Sequence, residues 1–201
     1  PRFRNDAMVI LAITKPGRYF IQVSSHNSDI GKYDLHLRLR RPGFEAKPKG
    51  TRQIVYLDFD GAKFNPNKVF NEGKNEEVEV DSVEAFLANW GLDGSEVDQK
   101  ANIDKIVDAA VSTVEQQFSV LRRTDLNGDF ASTNKHGDFA IDIRCSTRHV
   151  DVWGKPNVSR VIIGGTQEQI GIFGDIGRAQ YVDPGNFSAE DTAIVMLDIL
   201  S

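Results

Sequence analysis

The chain has 201 residues, 40% of them hydrophobic and 26% charged, which suits one large or two small globular domains with a core of their own. Its longest apolar run, Ala7 to Ile13, is far short of the roughly 20 residues a membrane-spanning helix needs, so no membrane span is expected. A net charge of −5 argues against a nucleic-acid partner, and the single cysteine, Cys145, excludes an internal disulfide or a cysteine-based zinc knuckle. The opening Pro-Arg-Phe-Arg-Asn-Asp has no initiator Met and no signal-peptide pattern, and it reads as part of something longer.

Residues 1–41 read as antiparallel β-structure. Lys15-Pro16-Gly17 supplies a turn before Arg18 to Ser24 (RYFIQVS), a strand rich in aromatic and β-branched residues. Lys32 to Arg40 (KYDLHLRLR) sets Tyr33, Leu35, Leu37 and Leu39 against Asp34, His36, Arg38 and Arg40 with a period of two, so the arginines form the wet face of a half-buried strand. Arg41 to Gly50 (RPGFEAKPKG) is punctuated by Pro and Gly and has little to pack, which places a linker at residues 42–51.

A second domain spans residues 52–201. Ile54 to Phe59 is an apolar strand. Asp81, with Glu84 three residues on, reads as the cap of a helix carrying Val83, Phe86, Leu87 and Trp90 and stopping at Gly91. A longer helix follows, with Ile103, Ile106, Val107, Ala110, Val111, Val114, Phe118 and Leu121 as one wide stripe. Three strands come next: Phe139, Ile141 and Ile143 alternating with polar residues, the run Val161 to Ile163, and Thr192 to Leu197. The order predicts an α/β (α+β) fold, a mixed sheet with helices on one face, preceded by antiparallel β-sandwich strands.

Two acidic clusters invite chemistry. Asp58-Phe59-Asp60-Gly61 ends a strand, and two carboxylates beside a glycine turn can hold a structural cation. The motif also resembles the first motif of haloacid-dehalogenase-like phosphatases, which implies Asp58 as nucleophile, Asp60 as general acid/base and magnesium between them. Gly174-Asp175 lacks the second aspartate of that family's later motif, and a plain strand-end turn is the competing reading. Asp125, Asn127 and Asp129 begin like a calcium loop, but Phe130 stands at its sixth position and His136 at its twelfth. These five residues are the candidate metal ligands, with calcium the candidate ion for the second cluster.

Other signals are weaker. His26, His36, His136 and His149 form no His-Glu-x-x-His pattern. Gly164-Gly165-Thr166 has no Walker lysine and reads as a turn. Cys145 has Arg144 and Arg148 nearby, neighbours that favour a thiolate, but a small half-buried residue is the reading preferred.

Two stretches resemble known families. ITKPGRYFIQVSS and GKYDLHLRL are similar to the closing strands of a pre-peptidase C-terminal (PPC) β-sandwich domain, a companion of secreted bacterial peptidases. IVYLDFDGA, IDKIVDAAVSTVEQQF, SRVIIGGT and AQYVDPGNFSAEDTAIVMLD resemble the upstream part of a zincin-like metallopeptidase domain. That resemblance implies a secreted bacterial protein acting on protein or peptide substrates. It also implies zinc held by a helix that is not among these 201 residues, which are therefore expected to be inactive alone and to supply no catalytic residue. In that reading Asp58 and Asp60 serve packing, a turn or a structural cation. The alternatives are the magnesium-dependent phosphatase and a non-catalytic secreted binding or adhesion module.

Overall fold

The computed structural model describes residues 17–24, 32, 34–37, 39, 52–118, 140–181, 186 and 188–200. Its centre is a five-stranded sheet of β1 (Arg52–Asp58), β4 (Ala140–Cys145), β5 (Val158–Ile163), β6 (Gly177–Ala179) and β7 (Thr192–Val195), in the order β4-β1-β5-β7-β6. The β4, β1, β5 and β7 strands run parallel, and β6 runs antiparallel to β7 at one edge. A two-stranded antiparallel ribbon, β2 (Ala62–Phe64) with β3 (Val78–Val80), stands apart from the sheet. The fold is thus α/β with a mixed sheet, as the order of apolar segments predicts.

Strand alternation sends β1 into two cores. Leu57 and Phe59 face the long helix α2 (Glu96–Phe118), whose Ile103, Ile106, Val107, Ala110, Val111, Val114 and Phe118 pack on them together with Ile143 and Cys145. This is the stripe read from the sequence, apart from Leu121, which lies outside the described residues. Ser95 and Asp98 close the start of α2 reciprocally: the Ser95 hydroxyl donates to Asp98 Oδ2 at 2.6 Å, and the Asp98 backbone N–H donates to Ser95 Oγ.

The second face is also covered, contrary to the expectation of helices on one face only. Ile162, Ile194 and Met196 pack against Ala62 and Val80 of the ribbon, Phe70 of α1 (Pro66–Phe70) and Ile170 of α3 (Gln167–Ile170). These helices escape a periodicity search because each has barely one turn. They hold together through side-chain caps: Asn65 accepts from the Lys68 N–H, and Thr166 and Gln169 form a capping box.

One local reading changes. The helix expected from Asp81 is two short 3-10 turns, Val83–Phe86 and Ala88–Trp90, with Ser82 rather than Asp81 at the first cap. The Leu87 N–H bonds Glu84 three residues back, and Gly91 ends the segment in the left-handed region as read. The sandwich read in residues 1–41 lies mostly outside the described residues. Arg18 to Ser24 and Asp34 to Leu37 form no ladder, and Phe20 is 90% exposed and Leu39 85%. A strand is defined by its partner, and among the described residues none runs beside these. The 42–51 linker lies outside the described residues. No helix among the described residues is long and apolar enough to cross a membrane.

Three chain segments meet at the Gly164-Gly165 turn that ends β5. Gly164 N–H donates to Val195, Gly165 N–H donates to Asp81, and Leu197 N–H donates to Gly165. A Cβ on Gly164 would lie 2.2 Å from the Asp81 carbonyl oxygen, a backbone atom that cannot swing aside. Gly164→Ala is expected to lower unfolding stability by about 1–3 kcal/mol, as overpacking does. Urea unfolding of the two proteins checks this, and equal midpoints would refute it.

Candidate functional site

After β1 the chain passes through the ribbon, α1 and the 3-10 turns to α2 and then to β4 on one side, whereas β5 leads through α3 and β6 to β7 on the other. Parallel sheets leave a crevice outside the carboxyl ends of strands whose connections diverge in this way, and ligands favour that position. Here it lies between the end of β1, at Asp58-Phe59-Asp60-Gly61, and the end of β5, at Gly164-Gly165. The crevice is filled by the protein itself. The segment leaving β3 threads through it, with the Val83 N–H donating to Phe59 at 3.0 Å and the Gly165 N–H donating to Asp81 at 2.9 Å. Gly61 makes the turn possible. Its φ is +85°, and a Cβ there would lie 2.6 Å from the Val80 carbonyl oxygen.

Asp58 is consequently sealed, with 2% of its surface exposed. Arg160, on β5, reaches across the sheet and donates to Asp58 Oδ2 through Nε at 2.7 Å and through a second guanidinium nitrogen. The guanidinium also sits 5.5 Å from the ring centroid of Trp153, in the β4–β5 connection. The Asp58 Oδ1 atom is buried and receives no donor. The Asp60 carboxyl also acts on Asp58, and the two carboxyls can bond only if one of them carries a proton. Burial first, and then the Asp60 carboxyl, push the Asp58 carboxyl up to about 7 against the opposing pull of Arg160. Tyr56, on the same face of β1, is pushed up to about 12 by burial and then by Asp151, Asp58 and Asp60, so its hydroxyl keeps its proton and cannot serve as a base near neutral pH.

Among the described residues, no three His, Cys, Asp or Glu side chains converge to hold a metal. Asp58 and Asp60 do come together, but Arg160 occupies one Asp58 oxygen and the other has no opening to solvent. A phosphate ester has no path to it either, and Asp175, of the phosphatase comparison, is engaged by Arg178 at 2.9 Å. Asp125, Asn127, Asp129, His26 and His136 lie outside the described residues. His36 is exposed.

Cys145 is a core residue, 1% exposed at the end of β4. Its arginine neighbours turn elsewhere: Arg144 to Asp142 at 3.0 Å, and Arg148 to Asp108 of α2. His149 Nδ1 accepts from the Cys145 backbone N–H at 3.1 Å and fastens the turn that follows the strand.

Arg160 and Trp153 were not singled out in the sequence, although a signal was present. Arginine inside the apolar strand VSRVII must find an anion if both faces of the sheet are covered. No family model, curated protein or solved structure matches this chain.

Two outcomes follow from the Asp58 environment. Its carboxyl is raised in the folded protein above the ordinary 3.8, so the native state binds the extra proton. The resulting stabilisation is complete below about pH 4 and is lost as pH rises through about 7, with a slope approaching 1.4 kcal/mol per pH unit in between. Urea unfolding of the native chain at pH 5, 6 and 8 should show this decline and Asp58→Asn should flatten it; an unchanged slope in the variant would show that another group titrates. Arg160→Met should cost about 3–5 kcal/mol at pH 8, where it strands a buried carboxylate, and clearly less at pH 5, where Asp58 is neutral. The same unfolding curves measure it, and an equal loss at both pH values would contradict the assignment.

Proposed function

We propose that residues 52–201 form the sheet-bearing half of a zincin-like metallopeptidase domain, with its zinc-binding helix outside these residues, in a secreted bacterial protein that also carries a PPC-like accessory sandwich. The observation that carries the reading is a half-covered sheet face. Val161 and Ile163 of β5 pack with the α2 cluster. Their neighbours in register on the same face, Ala193 and Val195 of β7 and then Ala179 and Gly177 of β6, belong to no apolar cluster among the described residues. Ala193 and Val195 are only half-buried. From β5 to β6 the sheet is two strand spacings wide, about 10 Å, which matches the diameter of one further helix lying beside α2.

The sheet edge supports a peptide partner. Met196 N–H donates to Ile176 and Gln180 N–H donates to Thr192, so the alternate residues Gly177 and Ala179 turn their N–H and C=O groups away from β7. Among the described residues no strand lies outside β6. An extended peptide can add there as one more strand, held by main-chain bonds that any sequence supplies. The zinc itself would activate a water for peptide-bond hydrolysis. This chain's own part is the scaffold and the edge.

The test is to read the coding sequence beyond Ser201 and to express the longer protein. The expected result is a His-Glu-x-x-His segment, one stoichiometric zinc in the longer protein and hydrolysis of an unstructured protein such as casein, with no tight zinc in the 201-residue chain. A continuation without that motif, or tight zinc in the short chain, would overturn the reading.

Val195→Asp separates the half-covered face from an ordinary core position. In the 201-residue chain it should change stability by no more than about 1 kcal/mol, as a substitution near the surface does. In the longer protein it should lose zinc and activity, because the helix would have to dock on a charge. Unfolding of the short chain below the stability of Leu57→Ala would show that the face is already covered.

A further inference from the structure

We draw no further inference here: the strongest candidate, the buried Asp58 carboxyl with its donorless Oδ1 beside Asp60 at the end of β1, belongs to the site already described, and no other feature of the structure shows what ligand it would take.

Discussion

A carboxylate in an inner strand of a covered parallel sheet has no water to turn to, and much of this domain is arranged around that problem. Asp58 sits where β1 is flanked by β4 and β5 and covered on both faces. Arg160 meets it from the adjacent strand, two residues before the Ile162 that pairs with Asp58 in register, and therefore on the same face. Trp153 in turn covers Arg160. An ion pair of this kind adds little to stability against an apolar pair of equal volume, but losing either partner is costly. Its consequence is registration: β5 cannot slip by one residue along β1 without taking Arg160 to the opposite face.

The closure of the divergent end of the sheet is what seals that carboxylate. Elsewhere such a crevice is an open site, and here the chain between β3 and the first 3-10 turn lies in it, bonded to Phe59 on one side and Gly165 on the other. That packing depends on three glycines and a ribbon brought close, since Gly61, Gly164 and Gly165 all approach Val80 or Asp81 more tightly than a side chain permits. With the crevice occupied, the half-covered face among the described residues lies at the β7-β6 side of the sheet.

How much of this was legible follows from the lengths of the elements. Helix α2 and strands β1, β4 and β5 each carry enough residues for a period to show, and each overlaps the segment where the sequence places it, although β5 begins three residues before its reading and α2 begins seven residues before the first residue of its stripe. The ribbon, α1, α3 and β6 are three to five residues long, too short for alternation or helical spacing to rise above chance. The segment from Val83 to Trp90 shows a different limit. Its apolar spacing suits an α-helix, yet the demand to bury Val83, Phe86 and Leu87 while bonding back to Phe59 winds it as 3-10 turns. The acidic pair was visible as a pair. That it faces inward was not visible, because a strand-end Asp reads the same whether the next segment leaves the crevice or fills it.

The partition of the sheet bears on what the domain does. A five-stranded sheet with one long helix on one face covers the β4-β1-β5 half of that face and leaves the β7-β6 half with small residues and partial burial. Gly177 and Ala179 lack the bulk to make a core, and a sheet margin built of such residues gains stability only when another element is laid on it. The antiparallel direction of β6 adds a second consequence, for it ends the parallel set and presents alternate backbone groups outward, beside the face that lacks cover. A helix on the face and an extended chain on the edge would then meet at the margin of the same short strand. In the proposed reading that juxtaposition would bring a helix-borne group to the backbone of a bound peptide, whereas the carboxyl end of β1, where the acidic residues first draw the eye, is filled by the chain itself.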